Sequence, residues 1–177
     1  YNIKKISRIH FDYIHENKKL SKIINKFKPK IIINCAAVVK SEDCNKKPIV
    51  AYEVNSYFPH KLCVIAKKIN ATFIHFSTDA VFDGNKKSTY DINDETSPTT
   101  IYGKSKLLGE KFVIKYKKTL IIRLSLLFGK YHQNQIVDDL LKKLIKNKKV
   151  YVANDIYCTP TYSKDVANFL KKKIDDQ

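Results

Sequence analysis

Tyr102 and Lys106 stand four residues apart in Ile101–Glu110, a segment with helical patterning that reads IYGKSKLLGE. At that spacing both side chains leave one face of a helix, about a turn apart. A phenol beside an ammonium is a proton-transfer pair. The positive charge favours phenolate, so Lys106 is expected to pull Tyr102 below the ordinary tyrosine pKa of about 10. Just upstream, Phe76–Gly84 reads FSTDAVFDG, and Thr78 there offers a hydroxyl to the same substrate oxygen. Such a trio supports general acid–base transfer at a carbonyl or alcohol oxygen.

Side chains so far apart in sequence need a scaffold to meet. Leu20, Ile23, Ile24 and Phe27 have helical spacing over Lys18–Phe27, and Pro29 stops that helix. Ile31–Ile33 follows as a short strand whose unbroken β-branched run predicts a parallel strand covered on both faces. Helix is predicted over Ile49–Asn55 and Pro59–Ile69 with a break at Pro59, then strand over Thr72–Ser77. Beyond Tyr102 the pattern gives helix continuing through Lys106–Tyr116, strand Thr119–Leu124, helix Gln135–Asn147, strand Val150–Ala153 and helix Ser163–Ile174. This alternation predicts a Rossmann-like α/β fold: a doubly wound parallel sheet with helices on both faces. Residues 1–177 read as a single such domain, incomplete at the N-terminus, with 125–177 including the start of a substrate-binding part. The polar run Asp83–Thr100 reads as one surface loop passing over the site edge of the sheet.

The 177 residues are 44% hydrophobic, enough for one core, and hold no apolar run long enough for a membrane span. Cys35, Cys44, Cys63 and Cys158 show no C-x-x-C and no paired His spacing, so free thiols, no metal site and a cytoplasmic location are expected. The net charge of +17 comes from Lys spread along the whole chain. That spread reads as drift toward Lys, Asn and Ile, with some help in attracting an anionic nucleotide. A nucleic acid partner is not expected, and a weak salt dependence of binding to random DNA would agree.

FSTDAVFDG, the loop with DINDETSP, IYGKSKLLGE and LIIRLSLLFG closely resemble the extended short-chain dehydrogenase/reductases. Within that superfamily the chain is most similar to the dTDP-4-dehydrorhamnose reductase-like, sugar-nucleotide-binding branch, from about Phe11 to Phe169. The resemblance implies a cofactor, NADPH or NADH, and a nucleotide-sugar substrate, with no membrane partner; a homodimer is compatible with it. It assigns Tyr102 as general acid/base, Lys106 as the group that tunes it and holds the nicotinamide ribose, and Thr78 as the hydroxyl on the carbonyl.

By the same resemblance Asp12 lies near the adenine side of the cofactor, Ala36 and Ala37 line it, Asn55 stands beside its pocket and Ser77 supports it. Read from the residues alone, Asn34–Ala37 is equally good helix–sheet packing, and Asn55 a polar kink residue near Pro59. Substrate contacts are implied for Thr78, Asp79, Val81, Phe82, Arg123 and Thr161. Arg123 could grip a diphosphate bidentately or serve as a structural ion-pair partner. Glu110 is expected to pair with a Lys, and Gly109 to allow close packing against a neighbouring helix. Two departures from the branch bear on specificity: Ala80 where it often has Tyr, and Leu126 where reductases carry Trp.

The expected activity is NAD(P)H-dependent reduction of a 4-keto sugar nucleotide. The alternatives are a sugar-nucleotide epimerase or dehydratase, and a non-catalytic regulatory subunit resembling the beta subunit of methionine adenosyltransferase. A Rossmann cofactor site needs a Gly-rich loop at a helix N-terminus for the pyrophosphate, and no G-x-G-x-x-G occurs here. The chain therefore reads as a fragment whose cofactor loop lies upstream. These 177 residues alone should bind nicotinamide cofactor poorly; tight binding by calorimetry would contradict this.

Overall fold

The apolar stripe near the N-terminus forms α1 (Asn17–Phe27), which lays Leu20 and Ile24 into the core. Lys28 ends it in the left-handed conformation (φ 48°), its N–H donating to the Ile24 carbonyl, and Pro29 follows. These features come from a computed structural model that describes residues 1–7, 16–129 and 136–176.

The chain divides into two compact units, Tyr1–Arg123 and Leu124–Gln177. In the first, β1 (Ile31–Asn34) pairs in parallel with β2 (Thr72–Thr78), placing Ile32 opposite Phe73 and Asn34 opposite His75. The third strand, β3 (Thr119–Leu124), lies on the far side of β2, giving the order β1-β2-β3. The central strand is covered on both faces, with Phe73, Ile74 and His75 all buried. At β1 the expectation fails for one residue. Ile32 and Asn34 are buried but Ile33 is 42% exposed, because the pleat turns that side chain to the opposite, more open face of β1.

After β1 come α2 (Ser41–Lys46), α3 (Pro48–Tyr52), a π-helical turn over Glu53–Tyr57, and α4 (Phe58–Lys68). The break predicted at Pro59 does not occur. Proline is tolerated in a helix's first turn, where its missing N–H is not needed, and the wide turn before it absorbs the change of path. The helix α5 (Ile101–Val113) starts at Thr100, whose hydroxyl accepts from the Gly103 N–H at 3.0 Å, and ends three residues short of the predicted Tyr116. Phe58, Leu62, Cys63 and Ala66 of α4 and Val113 of α5 join α1, Ile32 and Phe73 in one hydrophobic core.

In the second unit, β4 (Leu127–Phe128) and β5 (Thr161–Tyr162) form a short parallel pair, accompanied by α6 (Ile136–Ile145) and α7 (Ser163–Asp175). Val150–Ala153 is not a strand; it has no pairing partner among the described residues, and Tyr151 is 90% exposed.

The position of α5 depends on Gly109. A Cβ there would collide with the backbone carbonyl of Asn55 in the π-turn, which cannot move aside as a flexible side chain could. Gly109→Ala should therefore destabilise the fold by about 1–3 kcal/mol in urea denaturation, despite alanine's better helix propensity.

Candidate active site

Three elements deliver the site: the end of β2, the 3-10 turn Asp79–Val81 that follows, and the first two turns of α5. Thr78 ends β2 in extended conformation, and its hydroxyl accepts from the Ala80 N–H and donates to the Asp79 carboxylate, each at 3.1 Å. Gly103 lets the start of α5 abut this turn, since a Cβ there would strike the Ala80 carbonyl. The abutment brings the Tyr102 phenol up to the Thr78 side chain.

Burial raises Tyr102 above its ordinary pKa; the Thr78 hydrogen bond works against this, and Asp79 and Cys44 add to it. The expectation that Lys106 would acidify the phenol is thus reversed here. The Lys106 ammonium is aimed elsewhere, donating to the Phe76 carbonyl at 2.5 Å. Lys106 is 3% exposed. Burial draws its pKa down from 10.5 to about 8, against the favourable charge of Glu110. Thr78, Tyr102 and Lys106 nevertheless meet at one place, the carboxyl end of β2.

Behind them lies a buried polar layer. Asn34 accepts from the Ala36 N–H and donates to His75 Nδ1, both at 3.1 Å, which fixes the neutral histidine's proton on Nε2. Burial, then Lys106, lowers the His75 pKa to about 3, so the ring stays neutral. Asn55 is fully buried in the π-turn. Its amide accepts from the Val38 N–H (2.9 Å) and donates to the Val38 carbonyl (3.0 Å) and to Ser105 Oγ (2.9 Å). Both amide hydrogens are spent on holding the turn after β1 against α5, while Ala36 and Ala37 remain half-buried at that turn.

The Asp83–Thr100 loop is internally tied. Phe82 stacks on Tyr90 (4.4 Å between centroids), the Tyr90 hydroxyl donates to Asp83 (2.6 Å), and Lys86 pairs with Asp94 (2.6 Å). Arg123 takes the structural of its two readings: its guanidinium grips Glu110 bidentately at 3.0 and 2.7 Å and lies 5.1 Å from the Phe82 ring centroid. Glu110 consequently pairs with Arg123 and not with a Lys. Val81 has no exposed surface, so it packs in the core instead of facing a substrate. Asp79 is exposed and Phe82 half-buried beside Thr78. Thr161 belongs to the second unit, where its hydroxyl donates to the Thr159 carbonyl (3.2 Å), and Asp12 lies outside the described residues.

Gly103, Ser105 and the identity of Arg123's partner, Glu110, were missed in the sequence reading. One signal was available: two of the chain's four glycines fall inside a single helix, where glycine is costly.

A parallel sheet with its polar site at the strands' carboxyl ends, and a Tyr-x-x-x-Lys helix beside it, defines a Rossmann-like α/β protein. The chain belongs to the RmlD substrate binding domain family, whose profile matches residues 5–177. It is 38% identical over 150 residues to a dTDP-4-dehydrorhamnose reductase of Aggregatibacter actinomycetemcomitans, covering 84% of this chain and 50% of that protein. It is 35% identical over 147 residues to the spore coat polysaccharide biosynthesis protein SpsK of Bacillus subtilis, covering 82% and 52%. The dTDP-4-dehydrorhamnose reductase of Bacillus anthracis, solved in complex with NADP, superposes with a TM-score of 0.91 at 31% identity, over 98% of this chain and 62% of that one. The chain thus spans about half the length of these curated relatives. No helix among the described residues is long and apolar enough to cross a membrane, and no group of side chains among them could hold a metal ion.

The lowered Lys106 pKa has a thermodynamic consequence. Between the folded value of about 8 and the unfolded value near 10.5, the unfolded chain binds more protons, so stability from this group rises with pH. Relative to Lys106→Met, the native chain should gain on the order of 3 kcal/mol across that window, read by denaturant midpoints at each pH.

Proposed function

We propose that this chain carries the acid–base centre of an NAD(P)H-dependent reductase acting on a 4-keto sugar nucleotide, as in dTDP-4-dehydrorhamnose reductase. The observation that carries the reading is the Tyr102 phenol on the Thr78 side chain, with the Lys106 ammonium anchored two residues back on the same strand. The relatives named as reductases, and one solved with NADP, support it.

The residues present fit a nicotinamide ribose. Ser77 Oγ is buried with no hydrogen-bond partner, a hydroxyl waiting for one. Ala36 and Ala37 present small side chains at the carboxyl edge of β1, where a ring can approach the backbone. Ser77, Tyr102 and Lys106 would hold the ribose side, Asn55 would keep the Ala36–Val38 turn open for it, and Asp12 would lie toward the adenine. When bound, the cofactor supplies a hydride to the carbonyl carbon.

The chain's own groups handle the oxygen and its proton. Thr78, turning its hydroxyl proton from Asp79 to the substrate, donates a hydrogen bond to the carbonyl oxygen and Tyr102 gives it the phenolic proton, so carbonyl plus hydride plus proton closes to an alcohol. A raised pKa keeps Tyr102 protonated near neutral pH, the state a proton donor needs. Lys106, titrating at about 8, exchanges protons in the same range and can restore the one that Tyr102 gives up. Asp79 and Phe82, at the mouth of the loop, would border the sugar nucleotide. A soluble cytoplasmic enzyme is the setting this reading implies.

Tyr102→Phe in the full-length protein should cut turnover by about 100- to 10,000-fold while leaving cofactor affinity within a few-fold, measured by NADPH oxidation and by fluorescence titration. Near-native turnover in that variant would remove Tyr102 as the acid.

A further inference from the structure

Glu110 and Arg123 have no part in the proton transfer described above, yet their ion pair is mostly buried, with side-chain exposures of 6% and 24%. Breaking such a pair from one side is costly, so its position calls for a reason. Tyr102, Lys106 and Glu110 occupy successive i, i+4 positions along α5, all on one face. Arg123 fixes the carboxylate with a two-pronged grip and reaches beyond it, its Nη1 donating to the Ile92 carbonyl at 3.4 Å and its plane lying near the Phe82 ring.

We infer that Glu110, paired with Arg123, is a positioning residue that holds the Lys106 side chain in its protonated form, while the same arginine fastens the loop after Thr78 to the catalytic helix. The inference rests on the acid–base reading of Tyr102 and Lys106. The groups that face Lys106 come from each element packed around it. Glu110 on α5 favours its charge, Cys35 after β1 is a thiol that burial keeps protonated, the Phe76 carbonyl on β2 accepts its hydrogen bond, and His75 on β2 stays neutral. Of these, Glu110 is the carboxylate. Without Arg123 the carboxylate would lose its counter-charge, and the loop would lose its tie at Ile92. Arrangement and charge are thus set by one pair.

The test is a lysine 13Cε NMR titration of the full chain, with the Lys106 signal assigned by its loss in Lys106→Arg. The native signal should titrate near pH 8. In Glu110→Gln it should move about one unit lower. Glu110→Asp, which keeps the charge, should bring it back toward the native value. Arg123→Gln, which leaves the carboxylate uncompensated, should move it upward, and amides of the Asp83–Asp94 segment should exchange faster. An unmoved Lys106 titration in Glu110→Gln would overturn the inference. If that variant does not fold, a downward or absent shift in Arg123→Gln overturns it equally. Failure of the reductase reading shows elsewhere, as undiminished turnover in Tyr102→Phe, and leaves these titrations unchanged.

Discussion

An ammonium group removed from water must be answered by the protein around it, and Lys106 is answered by the Phe76 carbonyl. Much of the first unit follows from that contact. For Nζ to reach the strand, α5 must lie against the carboxyl half of β2, closer than most side chains would permit. Gly103 and Gly109 remove the obstruction at the Ala80 and Asn55 carbonyls. The Asn55 amide and the Ser56 hydroxyl then hold α5 there, through Ser105 Oγ and the Ser105 carbonyl (2.6 Å). Once the helix is docked this way, the meeting of Tyr102 with Thr78 is a geometric by-product.

The interior at this end of the sheet is polar to an unusual degree for its burial. Asn34, Asn55, Ser56, His75, Ser77, Ser105, Lys106 and Glu110 are all buried, and their bonds run between elements more than within them. Such a network resists repacking, because a shifted helix would strand several donors together. Two atoms escape it, His75 Nε2 and Ser77 Oγ. The first faces α5 beside Gly109; the second stands one residue before Thr78 at the end of β2.

The elements of this fold could be read in the sequence wherever local pattern decides. The α1 stripe, the β-branched runs and the Tyr–Lys spacing each announce themselves within a dozen residues. What escaped was set by partners distant in the chain. Nothing near Lys106 in sequence says that its ammonium will seek a carbonyl thirty residues earlier, so the sign of the Tyr102 shift came out opposite to expectation. Glu110 has lysines as sequence neighbours, yet a buried carboxylate is better served by the fork of Arg123 than by a solvated amine. Ile33 looked like its buried neighbours because which face of a strand is covered depends on elements distant in the chain. Val150–Ala153 has strand composition without a strand to pair with, and composition alone does not make a ladder.

The π-helical turn at Glu53–Tyr57 works as a one-residue insertion within a helical path. Closing it into ordinary α-helix by deleting a residue would rotate everything on one side by about 100° relative to the other. Asn55 would then swing off the Val38 backbone, or the core residues of α4 would turn toward solvent. Length in this segment is therefore under tighter constraint than side-chain identity: it can exchange residues on its outer face but cannot shorten, and homologous chains should align through it without gaps.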